Sequence, residues 1–497
     1  MIGCCRGSDL VRGASVAQAR GNGNPCPDGR LGPDRLGSPC SCHGHSPLTT
    51  ARHLRYPCFT VGRGSACGNL TNGVRLRRRR VMRRWGWVIG LMAILAAWEW
   101  SSADAAIQVN AWSGLSGDDK GRWEEMIKAF NASQKEVEVI PSFYTWDLMH
   151  SKLVASLQTG GVPEILLMWV AVIPEMARLG ALAPMDELIG QAGIKGDDFV
   201  PRAWRAGVIG GARYGIPLDT HVLGLYYNTE LFEKAGLDPN KPPVTMDEFI
   251  AAAKKLTVPP NQWGFAMHSS TAWPPRYWMA FVEQQGGKLF TDDFKKAAFN
   301  DAKGRAAFQF MSDLIHVHKV APPVMTDINK AFLTKQAAMI WIGPWLINSA
   351  LRQEGLKFRT AAFPRIFGKY ASWGMGHQMV LGKQPDRAKQ QAAMQFIRYM
   401  SENSMTWVKG GQAPARLSIL NGAEFKGMTL WHAFTPGIQP QEGWVINPAI
   451  RQHTKIFTHD PASPLVSAWE SIVQKRKTVE QAVTDAEVAV NRILAEP

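Results

Sequence analysis

Five tryptophans stand beside turn residues or polar groups instead of inside periodic apolar runs: Trp112, Trp146, Trp273, Trp345 and Trp373. Asp147 follows Trp146, His377 lies close after Trp373, and Asp219 and His221 precede an apolar stretch. Flat indole faces stack on the C–H faces of sugar rings, and carboxylates and imidazoles bind hydroxyls. A concave site combining the two suits a polar small molecule. Core or loop packing competes with this reading at each single position. Trp123 is different: it lies on an apolar helix face and is assigned to the core.

Motifs for covalent chemistry are scarce. The sequence has no H-E-x-x-H, no G-x-S-x-G and no G-x-x-x-x-G-K-[ST]. Gly374-Met375-Gly376 is only a G-x-G. His316 and His318 are two apart on an expected helix, so they point in different directions and read as surface. Asp118, Asp119, Glu124 and Glu125 fall at a helix start, where the helix dipole accounts for them without catalysis. A glycosidase would need two facing carboxylates about 5–10 Å apart. Asp147, Asp219 and Glu442 are available, but no motif pairs them. An anion site would need converging cations, and Arg416 is the one candidate.

The elements that position these residues alternate strand and helix. Ile107-Gln108-Val109 starts a strand ending at Trp112. Trp123, Met126, Ile127 and Phe130 mark a helix, Val137-Glu138-Val139 a strand, and Met149, Leu153 and Leu157 a helix stopped by Gly160-Gly161. Ile165 to Trp169 is a continuous apolar run, as in a buried parallel strand. This βαβαβ opening implies a doubly wound α/β domain. Further strands are expected at Leu223–Tyr227 and Ala337–Ile342. Thr245 with Glu248 forms a capping box, Asn300 caps the helix of Phe308, Met311 and Ile315, and Pro385 opens a helix through Met400. Ser463-Pro464 opens another helix, and Thr478 with Gln481 opens the last. No linker is evident, so the lobes are expected to be interleaved.

The chain has 497 residues and a formal net charge of +15. The basicity is uneven. Residues 1–81 hold thirteen arginines against three aspartates, all seven cysteines, and no run able to build a core. They read as an N-terminal extension that is disordered or not native to the protein. Cys40, Cys42, His43 and His45 resemble ligands but complete no zinc spacing. Met82-Arg83-Arg84, the apolar run from Trp85 to Trp98 and Ala103-Asp104-Ala105 together read as a signal peptide over 82–105. Fourteen apolar residues are too few to span a bilayer. The remainder is only mildly basic, so nucleic acid is a poor partner. Without cysteine after residue 81 it offers no disulfide framework, thiolate metal site or cysteine nucleophile.

The stretch 107–497 resembles the family 1 extracellular solute-binding proteins, the sugar-capturing components of bacterial ABC importers, of the maltose-binding type. The resemblance rests on Tyr144-Thr145-Trp146-Asp147, Gly161-Val162-Pro163-Glu164-Ile165 and Tyr214 to Asp219. Leu225-Tyr226-Tyr227-Asn228, Gly343-Pro344-Trp345 and Pro414-Ala415-Arg416 add to it. Glu164 stands where many relatives carry Asp.

The resemblance implies a type II periplasmic binding protein fold: two doubly wound α/β lobes, a multi-crossing hinge and a ligand cleft between them. Lobe 1 would be 106–219 with 374–412, and lobe 2 would be 220–373 with 413–497. Crossings would run near Asp219–His221, Trp373 and Pro414. The contacts implied are Trp112, Trp146, Asp147, Trp169, Asp219, His221, Trp273, Trp345, Trp373, Gly374, His377 and Arg416; Trp169 reads equally as strand core. The implied partners are a sugar ligand and the permease subunits of the transporter. A periplasmic monomer is implied, with no catalysis, cofactor or metal. An exported carbohydrate-active enzyme and a binder of glycerol 3-phosphate or another anion are the alternatives.

Overall fold

The strand Ile107–Ser113 alternates, and its inward residues Val109 and Ala111 are fully buried. It pairs in parallel with Val137–Phe143 over its whole length and with Ile165–Trp169 at Ala111↔Ile165. The computed structural model describes residues 105–496 apart from 385, 439–442, 446–449, 451 and 458–462. The N-terminal extension, almost all of the signal segment, Pro385 and Glu442 lie outside the described residues.

Alternate residues of one strand serve two cores, which is what double winding requires. Ile165 and Leu167 join Trp123, Met126, Ile127 and Phe130 of the helix Gly117–Ser133 on one face. Leu166 and Met168 join Met149 and Leu153 of the helix Trp146–Thr159 on the other. That second helix starts on the Thr145 hydroxyl, which accepts from the Leu148 amide, and stops at Gly160, whose φ of +75° suits glycine. The sheet is completed by a late strand, His377–Gly382, running antiparallel to Ile165–Trp169. The chain therefore leaves this half and returns to it.

The other half is built around Gly224–Asn228, flanked by Met339–Ile342 and Phe358–Ala362, both antiparallel. Leu225 and Tyr227 face one core and Tyr226 the other. Around it pack the helices Met246–Leu256, Trp273–Gln284, Ala302–His316, Pro464–Val473 and Val479–Leu494. The capping boxes at Thr245/Glu248 and Thr478/Gln481 are present. Asn300 is not the cap of its helix. Asp301 accepts from the Gly304 amide, while Asn300 is held by Arg305 and Glu487. The helix expected from Pro385 runs Arg387–Glu402, capped by Asp386.

Between the halves lies a third sheet in the order Ala413–Pro414, Asp219–Val222, Ala371–Met375, Gly443–Val445. Asp219–Val222 runs antiparallel to both of the strands beside it. Its ends touch closely: a Cβ on Gly376 would lie 2.5 Å from the Asp219 carbonyl oxygen, so only glycine fits that turn. Among the described residues no helix is long and apolar enough to cross a membrane.

Candidate functional site

Elements from both halves and from the connecting strands wall a cavity of about 310 Å³. Trp146 is the first residue of its helix, and Trp169 the last of its strand. Their indoles stack with centroids 4.7 Å apart. The Trp146 ring lies where a Cβ on Gly114 would come within 2.1 Å of it, so this glycine makes the space for the indole. On the opposite wall Trp273 opens its helix, and Trp345 sits in the single turn Pro344–Leu346 after the strand Met339–Ile342. Their centroids are 5.6 Å apart.

His221, Trp373, Met375 and His377 come from the connecting strands and complete the wall. Behind them lies Asp219, 1% exposed. Four donors point at its carboxylate. The His377 amide (3.0 Å) and His221 Nδ1 (3.3 Å) reach Oδ1, and His377 Nδ1 (2.7 Å) and Trp407 Nε1 (2.7 Å) reach Oδ2. Burial alone would raise the Asp219 carboxyl. The His377 charge and the bonds from both histidines outweigh it and hold the group well below the usual carboxylate range. Burial also acts to lower His377, but the Asp219 field and hydrogen bond outweigh it and raise the imidazole. For His221 burial prevails, and its imidazole is lowered. Among the described residues, Asp219, His221 and His377 are the group that could hold a metal ion, with three ligand atoms within 4.8 Å of one another.

Seven of the twelve expected contacts line the cavity: Trp146, Trp169, His221, Trp273, Trp345, Trp373 and His377. The other five do not. Asp219 acts from behind. Trp112 packs edge-on against Tyr144, with centroids 5.3 Å apart. Asp147 is exposed in the first turn of its helix. Gly374 is buried in its strand opposite Val222. Arg416 is directed elsewhere. It donates to Asp198 at 2.7 Å and to Ser401, and its guanidinium lies over Phe199. Its charge is already matched, so it is no anion site in the cleft.

Four polar residues at the wall were missed: Ser116, Asp119, Arg276 and Gln412. Asp119 was explained by the helix dipole alone. Its place just beyond the carboxyl end of a parallel strand is the available signal, because ligands of open α/β sheets bind there. Burial pushes its carboxyl up to about 6, and Gln412 Nε2 donates to it at 3.0 Å. Arg276 lies in the run Trp273-Pro274-Pro275-Arg276-Tyr277-Trp278, and a cation among aromatic residues was itself a signal. Its guanidinium lies 4.3 Å over the Trp273 ring and 4.5 Å over that of Trp373. Burial pushes it down to about 10.

The sequence profile of the bacterial extracellular solute-binding proteins matches residues 116–406. A putative binding protein of Brucella abortus is 25% identical over 295 residues, which cover 57% of this chain and 69% of that one. The sn-glycerol-3-phosphate-binding periplasmic protein UgpB of Escherichia coli K12 is 27% identical over 172 residues, 33% of this chain and 39% of UgpB. Among solved structures, an ABC transporter solute-binding protein from Thermotoga lettingae, bound with alpha-D-tagatose, is 27% identical with a TM-score of 0.66. The likeness covers 78% of this chain and all of that one.

Proposed function

The chain belongs to the bacterial extracellular solute-binding proteins, and from that premise we propose that it captures a sugar or short oligosaccharide in the periplasm for an ABC permease. The observation that carries this reading is the cavity wall, where indoles of both halves meet the polar edges of His221, His377, Asp119 and Arg276. Aromatic faces take the apolar faces of a sugar ring and exclude water, while buried polar groups demand hydroxyls in fixed places. A ring bound only by one half would keep part of its surface wet. Contact with both halves is what makes closure favourable, as in hinge-bending binding proteins.

The lobes in this proposal are 106–219 with 374–412 and 220–373 with 413–497, hinged at the connecting strands. Export through the signal segment 82–105 belongs to the same reading. Capture without chemistry is favoured because Asp219, the most buried acid beside the cavity, is held by four donors and has no free edge for acid–base work.

The test is calorimetric titration and melting with mono-, di- and trisaccharides, polyols and glycerol 3-phosphate. Ligand at a hundredfold excess over Kd adds about 2.7 kcal/mol to the folded state. Stabilisation by one sugar group, lost in W345A, is expected. Stabilisation by glycerol 3-phosphate alone would replace the sugar with an anion, and no stabilisation by any of them would remove the carbohydrate assignment.

A further inference from the structure

We propose that the cavity holds a divalent transition-metal ion, bound by the Nε2 atoms of His221 and His377 with Asp219 positioning both rings from behind. The argument starts with the hydrogens. Each Nδ1 faces the same carboxylate, at 3.3 Å for His221 and 2.7 Å for His377. A carboxylate accepts, so each Nδ1 carries a proton; the Nε2 of a neutral ring carries a lone pair, and an ion binding His377 displaces the second proton of its charged form.

Both residues line the cavity. Their Nδ1 edges are turned to Asp219, which leaves Nε2 as the nitrogen of each ring that the proposal assigns to the ion. A metal-bound histidine almost always donates its other ring N–H to a carboxylate or carbonyl, which fixes the ring and raises its basicity. Here two rings share one such carboxylate. Trp407 Nε1 and the His377 amide pin it from two further directions. With four donors already on its oxygens, Asp219 orients the ligands and is not itself one.

The ring spacing fits. An imidazole nitrogen binds zinc at about 2.0–2.1 Å, which puts each ring centre about 3.2 Å from the ion, and two such centres at a tetrahedral angle are about 5.2 Å apart. The His221 and His377 centroids are 5.3 Å apart. Imidazole ligands suit zinc, copper, nickel and cobalt. Two protein ligands leave coordination positions open to the cavity for water or for oxygens of a captured solute. The inference stands on the two histidines and does not require the solute to be a sugar.

Cobalt(II) is the probe, because a four-coordinate cobalt site absorbs in the visible and zinc displaces it. The experiment uses the full chain, stripped of metal with a chelator. Its seven cysteines are first blocked with iodoacetamide, since thiolates would bind the ion themselves. One equivalent of cobalt should give visible absorption that zinc abolishes. H221N and H377N should lose it. D219N, which keeps both ligand atoms, should weaken binding about 10–100-fold, the usual cost of removing such a carboxylate. If H377N does not fold, as judged by far-UV circular dichroism, H221N decides alone. No zinc-displaceable absorption in the parent protein, or equal absorption in folded H221N, would overturn the proposal. Sugar titration of the metal-free protein is read separately, so failure of the ion leaves the capture reading intact.

Discussion

Arg276 and Arg416 are both largely buried, and each lays its guanidinium over aromatic rings. They do different work. Arg416 lies beside the third connecting strand, where the sequence suggests a cleft residue, yet it ties that strand to Asp198 and Ser401. Arg276 lies well inside a helix and reaches the cavity between two tryptophans. Nearness in sequence to a crossing does not decide which arginine lines the cavity. The acid brought opposite Arg416 holds that side chain away from it.

The sharpest way to break this contrast is R416A. It removes the charge opposite Asp198, which keeps only the Ser418 amide and hydroxyl as donors, and takes the Arg416 donor from the Ser401 hydroxyl. Removing one partner of a fully buried pair costs about 3–5 kcal/mol. Asp198 keeps 28% of its side chain exposed, so a loss of about 2–3 kcal/mol is expected, read by urea unfolding, with ligand affinity unchanged. A large affinity loss at normal stability would return Arg416 to the cleft. W345A should do the reverse, costing tenfold to a hundredfold in affinity by calorimetry while melting falls little. R276Q should follow W345A, with a smaller affinity loss.

Asp119 supplies a pH test. Its carboxyl is raised from 3.8 to about 6. Between those values the unfolded chain releases a proton that the folded chain keeps, so stability falls as pH rises through this window and is flat above it. Two units correspond to up to about 3 kcal/mol, with the nearby His377 charge working against it. D119N should flatten this part of the stability–pH curve; an unchanged curve would show that Asp119 is not the titrating group. The smallest effect is expected from T245A, which removes a hydroxyl cap at the surface and should cost about 1 kcal/mol without touching affinity.

Much of the frame was legible because local periodicity and burial agree. Trp123, Met126, Ile127 and Phe130 share a helix face in the sequence and a core in the fold. The tryptophans beside turns were legible as surface-forming, and five of the six proposed as contacts line one cavity. Trp112 could not be separated from them, since nothing local announces that Tyr144 covers its ring. Asn300 and Asp301 are neighbours of similar capping strength, and the choice between them depends on Glu487, far along the chain. Asp119 and Arg276 each carried a local signal, but nothing local says that either, or Gln412, reaches the cavity. Each becomes a wall residue only when separate segments meet.

The stacking of Trp146 on Trp169, with His377 lying 5.5 Å from the Trp146 ring, has an optical consequence. Transition dipoles of two indoles this close couple, and coupled chromophores in a chiral setting give paired bands of opposite sign in circular dichroism. A proton on His377 quenches indole emission more than the neutral ring does. The molecule therefore carries its own chromophore pair beside the cavity. Solute entry or titration of the histidine would be read as a change in the sign, size or brightness of that signal, with no label attached.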